Sequence, residues 1–397
     1  MNKKSEQDGR LGKTDYVIRL LDSPLKIEAA DWNQLLAVQA EPTPFMRHEY
    51  LSALHLSGSA TPATGWTPCF VTLWQGNRLA AACPMYFKTH SYGEYVFDWA
   101  WASAYKRHGL AYYPKALVAV PFTPVAGSRL LAIDAASRSA LVAALIEVCQ
   151  HQQVSSLHLL FASEEDLAPC RQAGLSLRHT VQFHWNNAAT PYQDYEDFLR
   201  HLAQDKRKKI RQEQRKVKDA GVHHRWVHGR NISSDDWDFF YRCYSQTYAE
   251  HGNPPYLQQD FFLHHMAQNM PDAWLMFIAE RAGHPIACSL VALDPARRIA
   301  YGRYWGALER VDCLHFDLCY YQPIQWCIAQ GMARFEGGAQ GEHKLSRALL
   351  PVRSSSAHWM ANPAFAQAVE RALDQEQSAI GDYLAELDQH SPFKRVP

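Results

Sequence analysis

Two stretches of the chain share one spacing, and this internal repeat constrains the fold more than any other feature of the sequence. In residues 70–80 and 277–287, a phenylalanine next to an aliphatic residue, a glycine and a second apolar pair recur at a constant offset. Each stretch is typical of a β-hairpin with a glycine-containing turn. A helix followed by a strand also recurs, at residues 146–157 and 324–335. The sequence therefore predicts two copies of one α/β unit.

The repeat predicts two domains, at residues 15–187 and 188–397, and the length of 397 residues suits that number. Within each half, strands and helices follow one another in an order that indicates a mixed central sheet with helices on both faces, an α/β (α+β) class. Residues 1–14 are polar and contain no apolar signal-peptide core, so we expect a disordered leader.

The composition excludes several classes of protein. Lys plus Arg and Asp plus Glu number 40 each, so any attraction to nucleic acid has to come from a local patch. The nine cysteines contain no C-x-x-C pair, which argues against a disulfide framework and favours a cytoplasmic location. We expect no membrane span, no metal site such as H-E-x-x-H, and no tightly bound cofactor.

The richest polar segment is the loop predicted at residues 336–347, which follows a predicted strand, Met332–Phe335. Polar loops at the ends of buried strands are common places for active sites. The glycines resemble phosphate-binding motifs, but neither the G-x-G-x-x-G order nor the G-K-[ST] ending of a P-loop is present.

The side chains of this loop offer acid–base chemistry. His343 is a candidate general base near neutral pH, and Glu336 or Glu342 would serve if partly desolvated. Lys344 and Arg347 are candidates for holding a negatively charged group. A surface turn with salt-bridged charges is the alternative interpretation.

Residues 195–221 are predicted to form a basic helix, with eight basic and three acidic residues across Asp205–Asp219. Arg211 and Arg215 lie one turn apart, where they can oppose phosphate oxygens. A solvated linker helix is the alternative. Tyr256 flanks a rigid Gly-Asn-Pro-Pro turn, which predicts either an aromatic pocket wall or a connector between helices.

Three segments together resemble a known family. They are FEGGAQGEHKLSRALLPV with the following SAHW (residues 335–352 and 356–359), YAEHGNPPYL (248–257) and KRKKIRQEQRKV (206–217). The chain resembles a bacterial family of predicted N-acyltransferases labelled peptidoglycan biosynthesis/recognition, in the GNAT superfamily and related to Fem-type peptidyltransferases. The resemblance covers nearly the whole chain from about Leu35.

The resemblance implies two GNAT-like domains in tandem and transfer of an acyl group to an amine. It also implies that the acyl carbonyl is hydrogen-bonded near a splayed pair of strands, which would be Ile299–Trp305 and Met332–Phe335. The acyl-CoA signature of the superfamily is absent; Glu309–Phe316 stands in its place. The acyl donor, a co-substrate, is therefore either acyl-CoA or aminoacyl-tRNA. The acceptor would be a small-molecule or peptidyl amine.

The leading hypothesis is thus an N-acyltransferase, cell-wall related in view of the family label, whose chemistry lies in the second domain. His343 or Glu336 would be the base, with Glu342 as the alternate. The remaining residues would contact substrate and are Lys344, Arg347, Tyr304, Trp305, Tyr256, Arg211 and Arg215. The alternatives are a non-catalytic recognition protein that binds a muropeptide or nucleotide-linked ligand, and RNA binding by the basic helix alone.

Overall fold

The computed structural model describes residues 9–10, 16–339 and 341–394, without the side chains of residues 9, 10, 339 and 342. Of the expected leader, it describes Gly9–Arg10, which pair with Val17 and Ile18 in an antiparallel bridge. The other residues of 1–14 lie outside the described part of the chain.

The strands follow one another along the chain in this order: β1 (Gly9–Arg10), β2 (Val17–Leu21), β3 (Trp66–Pro68), β4 (Phe70–Gln75), β5 (Arg78–Cys83), β6 (Met85–Lys88), β7 (Lys115–Val118), β8 (Leu131–Ala132), β9 (Ser156–Ala162), β10 (Ser176–Asn186), β11 (Val222–His228), β12 (Trp274–Arg281), β13 (His284–Asp294), β14 (Ile299–Ala307), β15 (Arg334–Ala339) and β16 (Leu350–Met360).

The α-helices are α1 (Ala29–Ala37), α2 (His48–Leu56), α3 (Trp99–Arg107), α4 (Ala135–His151), α5 (Glu164–Gln172), α6 (Tyr195–His201), α7 (Gln204–Asp219), α8 (Ser234–Glu250), α9 (Ala267–Asn269), α10 (Leu314–Phe316), α11 (Gln322–Ala329) and α12 (Pro363–Gln389). A π-helical turn, Asp317–Tyr321, joins α10 to α11, and a 3-10 turn spans Glu342–Arg347.

The chain forms two compact units. The first comprises the chain up to Thr180 with Ser354–Ile380, and the second comprises Val181–Arg353 with Gly381–Pro397. The sequence placed the boundary between residues 187 and 188, with the second domain continuous to residue 397. In the structure, residues 354–380 belong to the first unit.

The first unit contains two sheets. One has the strand order β1-β2-β4-β5-β8, and the other the order β3-β6-β7-β9-β16. Helix α4 packs into the core between strands, and its Leu141 and Leu145 are buried in the same cluster as Val71 and Val118. An Asp134 capping box, in which its carboxylate accepts from the Ser137 amide, begins this helix.

The second unit has one sheet in the order β11-β12-β13-β14-β15-β10, antiparallel except where β14 and β15 run parallel. Helix α8 lies close against β14, because a Cβ atom at Gly306 would come within 2.1 Å of the Cys243 carbonyl oxygen. Only glycine permits this approach. The core on the other side includes Phe335, Leu318 and Ile324.

The predicted repeat appears in both units. Strands β4 and β5 form a hairpin, as do β12 and β13, with positive φ at Gly76 and at Gly283 in the turns. In each unit, a helix then leads into a strand that pairs in parallel, β9 beside β7 and β15 beside β14. The mixed α/β class predicted from the sequence is confirmed.

Two predicted elements have different bounds in the structure. The helix predicted over 195–221 is interrupted at Leu202, whose backbone is extended and bridges Phe393, while Ala203 donates to the Pro392 carbonyl. The strand predicted at Met332–Phe335 runs instead from Arg334 to Ala339. Glu336 therefore lies on a strand and not in a loop.

Candidate functional site

The central feature of the second unit is the place where two parallel strands part. β14 and β15 pair through three residues, from Ile299 opposite Arg334 to Tyr301 opposite Glu336. Beyond Tyr301, β14 continues beside β13 and β15 continues beside β10. Among the described residues, no further pair joins β14 to β15, so a gap opens between them.

Irregularities in the ladders accompany the gap. In β14, Arg303 is an extra residue, because Gly302 and Tyr304 pair with consecutive residues of β13. In β15, Gly337 and Gly338 both lie opposite Phe183. Such bulges bend a strand and increase its twist. The two strands thus diverge at neighbouring positions.

The two glycines of β15 are required for different reasons. A Cβ atom at Gly337 would lie 2.2 Å from Leu349 Cδ2 and 3.1 Å from the Phe183 carbonyl oxygen. Gly338 has open space around it but a φ of 77°, in the left-handed region. The Gly-Gly pair is therefore explained by the backbone of the bulge and not by phosphate binding.

An open cavity of about 130 Å³ occupies the gap. Backbone and side chains from β13, β14, β15 and the helical segment 314–321 line it. These residues are Ser289, Leu290, Val291, Gly302, Arg303, Tyr304, Trp305, His315, Cys319, Tyr320, Phe335 and Gly337. Tyr304 and Trp305, predicted to contact substrate, are among them. Tyr256 is not, and packs edge-on against Tyr248 at 5.4 Å.

A buried ion pair holds the 3-10 turn that follows β15. The Arg347 guanidinium donates to both oxygens of Glu213 on α7, at 2.7 and 3.0 Å, and lies 3.5 Å from the centre of the Phe316 ring. Tyr321 also donates its hydroxyl to Glu213. Arg347 therefore fixes the turn in place, and its guanidinium is engaged within the protein.

Lys344 is buried beneath the same turn. Its ammonium donates to the Gly338 carbonyl at 3.3 Å, and burial lowers its pKa to about 8. Its charge lies next to the strand bulge at the cavity. Lys344 is thus positioned by the backbone of the glycine bulge.

His343 is exposed on the turn and reaches the cavity through one residue. Its Nε2 lies 3.3 Å from the hydroxyl of Tyr320, a lining residue. Burial, and then the charges of Arg347 and Lys344, lower the pKa of His343, so the neutral imidazole can accept a proton at neutral pH. The side chain of Glu342 lies outside the described part of the structure.

A second imidazole, to which no pattern in the sequence pointed, lines the cavity itself. His315 packs edge-on against Trp305 at 5.2 Å, and burial lowers its pKa to about 4. His315 lies next to the π-helical turn at Asp317–Tyr321. Because π-turns have no reliable sequence pattern, this position of His315 could not be predicted from the sequence.

Glu336 lies on β15 and its side chain contacts β10. Its carboxylate is 2.9 Å from Arg334 and 3.7 Å from Nε2 of His184 on β10. Burial, assisted by Arg334 and Lys344, lowers the pKa of His184 to about 3, so this imidazole is neutral. Glu336 and His184 form a buried pair that no spacing in the sequence predicts.

The basic helix lies in the same unit. On α7, Ile210, Glu213 and Val217 are buried, whereas Arg211 and Arg215 are exposed. Arg211 also pairs with Glu196 on α6. The helix thus carries both the anchor of the site turn, Glu213, and a basic outer face.

Among the described residues, no group of three or more His, Cys, Asp or Glu side chains is arranged to hold a metal ion. All nine cysteines are unpaired thiols. None of the helices in the described ranges has the length and apolar character needed to cross a bilayer.

A family model described as FemAB-like, peptidoglycan biosynthesis/recognition, matches residues 23–395. The chain belongs to this family. Among curated proteins, none matches the sequence.

Several solved structures share the fold of this FemAB-like protein. The C-terminal DUF2156 domain of a protein from Agrobacterium fabrum is 11% identical, with a TM-score of 0.54 over 89% of this chain and 97% of that one. FemX is 10% identical, with a TM-score of 0.52 over 87% and 98%. L-PGS from Bacillus licheniformis is 9% identical, with a TM-score of 0.53 over 88% and 97%. With the repeated element order, these likenesses confirm the predicted α/β fold of two repeated units.

Proposed function

We propose that this FemAB-like protein is an N-acyltransferase, and that acyl transfer takes place in the cavity between β14 and β15. The observation that carries the proposal is the parting of these two parallel strands beside neutral imidazoles. Among the described residues, β14 and β15 do not pair past Tyr301, and Gly302 and Tyr304 of β14 line the cavity, where backbone groups can bind an acyl carbonyl.

In the proposed reaction, the nitrogen of the amine acceptor attacks the acyl carbon of the donor. The new C–N bond forms, the bond from the acyl carbon to the ester oxygen or thioester sulfur breaks, and the amine loses a proton. His343, through the Tyr320 hydroxyl, is the proposed acceptor of that proton. Glu336 is the second candidate, but it already contacts Arg334.

Of the two basic residues in the turn, Arg347 is given a different role from the one predicted. Because Arg347 is bound to Glu213, we assign it a positioning role and not direct contact with substrate. Lys344 remains a candidate for stabilising negative charge near the bulge. His315, which lines the cavity, joins the residues proposed to contact substrate.

Donor-dependent product formation tests the proposal. The purified protein is incubated with amines and small peptides, and with either acyl-CoA thioesters or aminoacyl-tRNA, and N-acyl products are measured by mass spectrometry. A product with one donor class supports the proposal and identifies the donor. Binding of ligands with no transfer from either class would contradict it and favour a recognition protein.

An aminoacyl-tRNA donor is supported by the exposed basic face of α7. If this donor is used, reversing the charge at Arg211 and Arg215 to glutamate should weaken tRNA binding and reduce the salt slope of log Kd by roughly two, one for each lost phosphate contact. The matched control reverses Arg78 and Arg371, two exposed basic residues of the first unit. An unchanged salt slope in the Arg211 and Arg215 variant would contradict this role.

A further inference from the structure

The segment between β6 and β7, residues 89–114, exposes several large apolar side chains. Of ten such exposed side chains in the described ranges, five lie in this segment. They are Tyr92, Tyr95, Phe97, Trp99 and Leu110, with exposed fractions of 56%, 38%, 56%, 42% and 43%. An aromatic side chain left in water lacks about 1.5–3 kcal/mol of stabilising free energy that burial would give. Several exposed apolar side chains in one segment therefore indicate an interaction site.

The segment is not loosely attached. Between the outward-facing residues, Glu94 and Asp98 point inward, and both carboxylates bind the ammonium of Lys115, which is completely buried. The Glu94 contact is 2.7 Å. Burial of charge is costly unless the partners are well placed. The aromatic side chains are therefore displayed on a fixed scaffold.

Two further contacts hold the backbone at the exposed positions. Lys88 donates to the Tyr92 carbonyl at 3.2 Å, and Arg178 donates to the Phe97 carbonyl at 2.6 Å. Arg178 is also paired with Glu376 at 2.9 Å. Tyr92 and Trp99 pack edge-to-face at 5.3 Å, so their rings form one continuous apolar ridge.

The exposed charge of this segment is positive. Its two acidic residues are the buried partners of Lys115, whereas Lys106 and Arg107, in the last turn of α3, are exposed. Lys106 is two helical turns from Trp99 and on the same face, at a rise of about 11 Å along the axis. Leu110 follows shortly after this helix. The surface thus combines an apolar ridge with cations beside it.

We propose that residues 89–114 form a docking surface for a membrane bearing anionic phospholipids. Aromatic and aliphatic side chains enter the boundary between headgroups and acyl chains, while Lys and Arg attract anionic headgroups. Nucleic acid is disfavoured because Phe97 and Leu110 offer no polar group, and because the Tyr92 and Trp99 rings pack on each other instead of standing apart as stacking platforms. The proposal does not depend on acyl transfer.

Co-sedimentation of the full chain with lipid vesicles tests the proposal. Vesicles of phosphatidylcholine alone are compared with vesicles that also contain phosphatidylglycerol. We expect binding to the anionic vesicles and little binding to the neutral ones. The K106Q/R107Q variant should bind about thirty-fold more weakly, at about 1 kcal/mol for each lost charge. The F97S/W99S variant should bind the anionic vesicles at least about tenfold more weakly, because it lacks two apolar side chains that would be buried in the membrane.

The matched control is L56S, which removes an apolar side chain that is 53% exposed but lies outside the segment. It should bind like the wild type, and circular dichroism should show all variants folded. Absence of binding to anionic vesicles, or equal binding by all variants, would overturn the proposal. Binding of single-stranded RNA that depends on Phe97 and Trp99, with no vesicle binding, would overturn it in favour of a nucleic-acid surface.

Discussion

At the scale of single residues, the buried histidines link the stability of the protein to pH. His184 is 6% exposed in its side chain, and burial lowers its pKa from 6.5 to about 3. The unfolded chain therefore binds a proton near pH 6.5, which the folded protein does not bind until the pH is far lower. Lowering the pH through this window favours the unfolded state.

We predict that His184→Gln reduces the loss of stability in acid. Between about pH 7.5 and about pH 5.5, the wild type should lose about 1.4 kcal/mol of unfolding free energy through His184, and the variant should not. Urea titrations of both proteins at the two pH values measure this difference. An identical pH dependence in wild type and variant would show that folding does not lower the pKa of His184.

Gly338 offers a test of the strand bulge. Because its φ is 77° and no atom lies within 4 Å of the place that a Cβ atom would occupy, Gly338→Ala should cost about 1–2 kcal/mol through backbone conformation alone. Gly338→Asn should cost less, since asparagine tolerates the left-handed region better. Urea midpoints of the two variants check the order. Equal stability of wild type and Gly338→Ala would rule out the positive φ.

At the scale of elements, the site turn depends on a helix more than a hundred residues earlier in the chain. Glu213 on α7 binds Arg347 in the turn, and both side chains are almost fully buried, at 11% and 2% exposure. This pair connects the basic helix to the turn that carries His343 and Lys344. No local pattern in the sequence could reveal it.

Glu213→Ala should therefore lower the unfolding free energy by about 3–5 kcal/mol, because it leaves Arg347 buried without its partner. The matched control is Glu196→Ala, which removes the partner of Arg211 in an exposed pair and should cost at most about 1 kcal/mol. Thermal unfolding of both variants makes the comparison. A Glu213→Ala protein as stable as the control would contradict the anchoring role.

The elements with strong local patterns could be predicted from the sequence. The hairpin turn at Gly283 and the helix–strand unit ending at Phe335 follow from periodicity and turn chemistry. The break at Leu202 and the extension of β15 through Gly338 could not be predicted, because both depend on distant partners, Phe393 and β10. The loop expected at residues 336–347 begins as a strand for that reason.

At the scale of the whole molecule, the two copies of the repeat have different endings. In the first unit, β9 ends at Ala162 and leads through Ser163 into helix α5. In the second unit, β15 carries the glycine bulge and leads into the turn with His343. The polar residues of the sequence already distinguish the two copies, but His315 and the cavity became visible only in the structure.

The proposed acyl transfer requires a base in the second unit, on β15 or on the turn after it. The most direct test is the kcat of His343→Gln and Glu336→Gln, measured with the donor identified for the wild type, beside an exposed control, His264→Gln. We predict that at least one of the first two variants loses about ten- to ten-thousand-fold in kcat while remaining folded, and that the control does not. Full turnover in both His343→Gln and Glu336→Gln would contradict the claim.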